Sequence, residues 1–90
     1  MQSGYWQDLT TADFAALDPE RTVALLPVAA VEQHGRHLPL ATDAIINEGL
    51  VRAALPRLPA AATLLVLPAQ TVGLSPEHAR FPGTLSIADT

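Results

Sequence analysis

Two uninterrupted apolar runs constrain this chain more than anything else in it: Thr22-Val23-Ala24-Leu25-Leu26-Pro27-Val28-Ala29-Ala30 and Ala62-Thr63-Leu64-Leu65-Val66-Leu67-Pro68. Runs that do not alternate with polar residues mark strands buried on both faces, as in parallel sheets flanked by helices. Pro27 cannot donate to a ladder, so a strand end or bulge is expected beside it, and the second run also stops at a proline. Between the runs a helix is predicted from near Asp43, with Ile46, Leu50, Ala53 and Ala54 at helical spacing. Thr42 or Asp43 is placed to cap it, and Pro56 and Pro59 close it. Strand, helix and strand in this order make a βαβ unit with a right-handed crossover. The fold class is therefore α/β with a mainly parallel sheet.

Upstream, Thr10 reads as a helix N-cap with Asp13 three residues on, where a carboxylate answers free amides. Phe14 and Leu17 share one face of this short helix, which Asp18-Pro19 ends, and it is expected to cover a sheet edge. Downstream, Ala69 to Thr84 holds two glycines and two prolines and reads as a long shaped loop. It follows a strand, as does the segment after Ala30, and ligands of open α/β sheets bind beyond the carboxyl ends of strands. Both segments are expected at one rim. Asp89-Thr90 reads as a helix-capping pair. There is no internal repeat.

Composition removes several function classes. With no cysteine, disulfides, thiolate zinc sites and thiol nucleophiles are excluded, and any metal must be held by His, Asp or Glu. Nine acids face five arginines and no lysine, a net charge of −4 without a basic cluster, which argues against nucleic acid as a partner. The first residues lack the basic and apolar regions of a secretion signal, and Val23 to Val31 is about half the length that spans a bilayer. A soluble, cytoplasmic chain with no membrane partner is expected. Ninety residues form one domain at most, and a domain this small is marginally stable.

The chemistry concentrates in Val31-Glu32-Gln33-His34-Gly35-Arg36-His37-Leu38-Pro39-Leu40-Ala41-Thr42-Asp43. In extended chain, residues two apart point the same way, so Glu32 and His34 face one point while Gln33 faces away. Gly35 permits a sharp turn, and Asp43 has enough chain to return at the helix start. Such an oxygen and nitrogen set suits zinc, manganese or iron(II). A carboxylate such as Asp43 can bridge two ions roughly 3.5–4 Å apart, and such a pair activates water and polarises a carbonyl, which points to hydrolysis of a carbon–nitrogen bond. A lone histidine after a strand is more often a hydrogen-bonded loop residue, and acids at a rim often only meet solvent. By the same measure Ser75, Glu77 and His78 resemble ordinary turn chemistry, and His37 has no spacing argument at all.

Leu26-Pro27-Val28, Glu32-Gln33-His34-Gly35, His37-Leu38-Pro39, Thr42-Asp43, Ser75-Pro76-Glu77-His78 and Phe81-Pro82-Gly83-Thr84 together resemble the N-terminal portion of the creatininase (creatinine amidohydrolase) family. The similarity runs from about Trp6 to Ile87, and two separated motifs in the right order make it specific. The resemblance implies a three-layer α/β/α hydrolase with a dinuclear Zn2+ or Mn2+ site at the carboxyl rim of the sheet, often assembled into hexamers, acting on a small amide. Carried over by position, Glu32 ligates one metal, His34 the other, and Asp43 bridges both. Further family ligands come from a later Asn-Gly-His type motif that this chain does not contain. Ser75, Glu77, His78 and Arg36 become candidates for the substrate pocket, with no general acid or base assigned. The chain departs from the family at Ala29-Ala30, where Gly-Ser or Gly-Ala is common, and at Arg36, where proline is frequent. Arg36 suits an anionic substrate group. The family also contains formamide hydrolases and peptide-processing enzymes.

Residues 1–90 are accordingly expected to be the N-terminal part of a creatininase-like domain whose C-terminal part lies elsewhere. Alone, they are expected to bind metal weakly and show no turnover. The competing reading is a non-catalytic βαβ module that keeps the family shape and binds a partner through an open sheet edge.

Overall fold

A computed structural model describes residues 2–87, so the expected Asp89-Thr90 cap lies outside the described residues. Three parallel strands form the sheet: β1 (Gly4–Tyr5), β2 (Thr22–Leu25) and β3 (Thr63–Val66), in the order β1-β3-β2. Thr22 pairs with Thr63 and Leu25 with Val66, while Gly4 and Tyr5 pair with Leu65 and Val66 on the other side of β3. The β2–helix–β3 unit read from the sequence is present and parallel, with α2 (Thr42–Ala54) as its helix.

Pro27 acts where expected. The regular ladder stops at Leu25, and pairing resumes beyond the proline as an isolated Val28–Gln70 bridge, with Ala29 N–H donating to Gln70 and Gln70 N–H to the Pro27 carbonyl. This bridge carries both chains in step toward the same rim.

Burial differs between the two apolar runs. In β3, Leu65 is fully buried and Val66 nearly so, because β3 is central. β2 was expected to be buried on both faces, yet Val23 is 57% exposed, because β2 is an edge strand among the described residues. An apolar run reports the tendency to be buried and not the neighbours available to do it.

Two details of α2 also depart from expectation. Its N-cap is Ala41, and neither Thr42 nor Asp43 caps it; Thr42 Oγ donates to the Pro39 carbonyl, and Asp43 turns its carboxylate elsewhere. The half-buried stripe is Ala44, Asn47, Val51 and Leu55, whereas Ile46 and Leu50 are largely exposed and Ala53 and Ala54 are exposed as well. Asn47 explains the rotation: its amide donates to the Val28 carbonyl at 2.8 Å and turns that face toward the strand end. The short helix α1 (Thr11–Ala15) carries the full capping box, Thr10 with Asp13 in both directions. Its Phe14 packs against Trp6 with the rings tilted by 42° and 4.4 Å between their centres. Among the described residues no helix is long and apolar enough to cross a membrane.

Candidate metal centre

The segment after the Val28 bridge is a closed turn. Glu32 N–H donates to the Leu40 carbonyl at 3.2 Å, which cinches residues 32 to 40 into a loop that delivers the chain to the start of α2. Gly35 sits at φ +74°, the left-handed conformation that L side chains rarely adopt, and so makes the sharp turn. Asp43 enters in the first turn of α2, where a carboxylate also meets the positive end of the helix dipole.

These constraints bring Glu32, His34 and Asp43 together: each offers one ligand atom, and the three lie within 4.8 Å of one another. His34 Nε2 is 3.0 Å from Asp43 Oδ1, and His34 Nδ1 is 2.9 Å from the Glu32 carbonyl oxygen. A carbonyl only accepts, so Nδ1 carries a proton and donates it. In the neutral ring Nε2 is then a lone pair aimed at a carboxylate, an arrangement that calls for a positive charge between them. In the metal-free chain the surroundings favour a proton there. The Glu32 carbonyl, followed by Asp43, raises the His34 pKa above its ordinary 6.5. A divalent cation meets the same call, and an Nδ1–H anchored on a backbone carbonyl is the usual outer support of a metal-binding imidazole. The donor set of two carboxylates and one imidazole therefore fits a hard to borderline divalent ion.

The loop after β3 reaches the same place. A single turn at Pro76–His78 presents His78, whose Nε2 lies 3.7 Å from Glu32 Oε1 and 3.8 Å from Glu77 Oε1. The Phe81 to Thr84 motif fastens the loop. Gln33 N–H donates to Thr84 Oγ1 at 3.1 Å, and Leu85 N–H donates to the Val31 carbonyl at 2.8 Å. Gly83, at φ +90°, lies so close to Leu40 that a Cβ there would stand 2.6 Å from its Cδ1. Ser75 is 1% exposed, with its N–H donated to Ser86 Oγ.

Of the candidate pocket residues, His78 and Ser75 are drawn into the structure around Glu32 and the loop. Glu77 is 65% exposed, and Arg36 projects from the turn with no ion-pair partner among the described residues. His37 borders Gly35 and is exposed. Gln33 was expected to face away. Instead it turns into the loop, where its amide meets His78 Nδ1 at 2.8 Å, on the ring that also stands beside Glu32, and Gly35 N–H at 3.0 Å. Alternation along the strand end gives the side on which Gln33 lies but not that a distant loop occupies it.

Comparison with known proteins gives a consistent result. Residues 7–90 match the family model described as Creatininase: Creatinine amidohydrolase. The mycofactocin precursor peptide peptidase of Mycolicibacterium smegmatis is 42% identical over 67 residues, 72% of this chain and 27% of that protein. That of Mycobacterium tuberculosis is 37% identical over 86 residues, 89% of this chain and 34% of that protein. Among solved structures, a mutant creatininase superposes with a TM-score of 0.74 at 28% identity, covering 96% of this chain and 34% of that one. A mutant creatininase of the Zn-Zn type gives 0.74 at 29% identity, covering 97% and 34%. The chain spans about a third of the length of these relatives.

Proposed function

The chain belongs to the creatininase (creatinine amidohydrolase) family, and from that premise we propose that the protein is a metal-dependent amidohydrolase cleaving a carbon–nitrogen bond at the rim formed by Glu32, His34 and Asp43. The observation that carries the reading is the convergence of these three ligand atoms within 4.8 Å, with the His34 ring held so that its free nitrogen faces Asp43. In the assignment carried over by family position, Glu32 would hold one ion, His34 a second, and Asp43 would serve both. A creatininase of the Zn-Zn type among the structural neighbours supports zinc at two positions, and manganese or iron(II) suits the same donors. Bound there, such ions would supply a water of lowered pKa and would polarise the scissile carbonyl.

The chain's own contribution is placement. Glu32 and Asp43 bring negative oxygen, the Glu32 carbonyl fixes the His34 tautomer, and the Gly35 turn with the start of α2 sets the spacing between them. The loop from Gly73 to Gly83 borders Glu32 through His78 and stands on the side from which substrate is shaped, with Ser75, Glu77 and His78 as candidate substrate contacts. Arg36, exposed beside His34, suits an anionic group of the substrate. Identity is higher to the peptide peptidases than to the creatininases, and this favours a peptide amide over the small amide that the family resemblance implies. A homo-oligomer, hexameric as the family resemblance implies, remains part of the proposal.

Metal analysis and amide hydrolysis by the full-length protein test this reading, before and after chelation. Zinc or manganese bound in stoichiometric amount, with turnover lost on chelation and restored by the ion, is the expected result. Turnover that survives complete metal removal would sink it.

A further inference from the structure

Glu32 belongs to two groups of ligand-type side chains, not one. Besides Glu32, His34 and Asp43, the set of Glu32, Glu77 and His78 also brings its ligand atoms within 4.8 Å, so proximity alone gives both sets an equal claim on a metal. The hydrogen bonds around the two histidines separate them.

The chain of deduction starts at Gly35. Its backbone N–H can only donate, and it meets the Gln33 side chain at 3.0 Å, so the atom it meets is the amide oxygen. The other end of that amide is then the NH2 group, which lies 2.8 Å from His78 Nδ1. An amide NH2 only donates, so Nδ1 accepts, and a neutral His78 carries its proton on Nε2. Reversing the Gln33 amide would set N–H against N–H at Gly35 and is excluded on the same ground. Metal ligation through Nε2 requires that nitrogen to be bare. Moving the proton to Nδ1 would then place it against the Gln33 NH2 at 2.8 Å. His78 Nε2, which carries that proton, lies 3.7 Å from Glu32 Oε1 and 3.8 Å from Glu77 Oε1, beyond hydrogen-bond range but within reach of a small shift of either carboxylate. Glu77, the other acid nearby, is 65% exposed and has water as an alternative partner.

We propose that His78 is a positioning residue: held by Gln33 as its Nε2–H tautomer, it steadies the Glu32 carboxylate and is barred from ligating metal itself. His34 is wired in the opposite sense, with its proton on Nδ1 and Nε2 free. One carboxylate thus has a ligand on one side and a donor on the other. This inference rests on the reading of Glu32 as a metal ligand, and the experiment is arranged so that each fails separately.

The test is run on the full-length protein. Long-range 1H–15N correlation of the metal-free, 15N-histidine-labelled protein, at a pH where both rings are neutral, is expected to show His78 protonated on Nε2 and His34 on Nδ1. Gln33→Glu replaces only the NH2 with oxygen and keeps the acceptor for Gly35, so it is expected to reverse the His78 tautomer. His78→Ala is expected to weaken zinc binding about 10- to 100-fold, the usual cost of losing an outer partner. His78→Gln, which places an amide N–H near the Nε2 position, is expected to recover most of that loss. A wild-type His78 protonated on Nδ1, or a His78→Gln variant as weak as His78→Ala, overturns the positioning role while leaving the metal reading intact. Absence of zinc binding in the wild type overturns the metal reading of Glu32 and the positioning role with it, whatever the tautomers.

Discussion

His34 and His78 flank the same carboxylate, and their neighbours set them to opposite tasks. On the His34 side the partner of the anchored nitrogen is a backbone carbonyl, which leaves a lone pair facing Asp43. On the His78 side the partner is the Gln33 amide, which consumes the lone pair and leaves a proton facing Glu32. The residue type is the same, and each ring stands in a set of ligand atoms within 4.8 Å of one another, so neither identity nor membership of such a cluster tells a ligand from a support. The group bonded to the far side of the ring does.

The largest effects are expected on the His34 side, where charge would be removed from the ions directly. Asp43→Asn is expected to lower metal affinity and kcat/KM by more than the roughly 100-fold upper range of a lost outer partner, and by more than Glu32→Gln. The ordering follows from bridging, since a shared carboxylate serves two ions and a terminal one serves a single ion. Metal content by mass spectrometry checks it. Equal loss of one ion in both variants would show that Asp43 does not bridge.

On the loop side the effects are expected to be intermediate. Replacing Ser75, Glu77 and His78 together with Ala is expected to cut kcat/KM about 10- to 100-fold while metal stays bound at working concentrations. Unchanged steady-state kinetics in that triple variant would remove the loop from the site. Gly83→Ala probes the same side from further away. A methyl group there meets Leu40 and must also adopt φ +90°, so a cost of about 1–3 kcal/mol in unfolding free energy is expected. The loss is expected in thermal stability first, with the His34–Asp43 pair undisturbed. A melting curve that overlays the wild type would show that the loop is not seated on Leu40.

Much of this arrangement was legible in the sequence, and the exceptions have physical causes. The Thr10–Asp13 capping box could be read because both partners lie within one turn. The β2–α2–β3 unit could be read because long apolar runs and helical spacing are strong signals. β1 could not be, because two residues, Gly4 and Tyr5, carry no periodicity and pair only because β3 offers a free edge. The helical spacing of Ile46, Leu50, Ala53 and Ala54 gives the helix but not its inward face, which Asn47 turns through a bond to a carbonyl nineteen residues away. The convergence of Glu32, His34 and Asp43 follows from alternation, a glycine turn and a helix start, all local. The attachment of His78 to Gln33 spans forty-five residues, and no local rule reaches that far. Asp43 shows the converse: its residue type and place suit a cap, but Ala41 holds that position and the Asp43 side chain serves His34 instead.

The smallest effect is expected at Arg36, which belongs to neither histidine's set. It sits on the exposed turn one residue past Gly35 and has no ion-pair partner among the described residues, so its removal takes no support from Glu32, His34 or Asp43. If it meets an anionic group of the substrate, it does so at the surface, where water and salt reduce an ion pair to at most about 1 kcal/mol. Arg36→Ala is therefore expected to raise KM about fivefold with kcat unchanged, the signature of binding lost equally from ground and transition states. The effect is expected to shrink as salt is added, because screening weakens the wild-type contact that the variant already lacks. A fall in kcat at constant KM would instead place the guanidinium at the reacting atoms, on the His34 side of the comparison. No change at any ionic strength would mean that the substrate carries no charge at this edge of the site, and that departure from the family's frequent proline would then bear on the turn's conformation rather than on recognition.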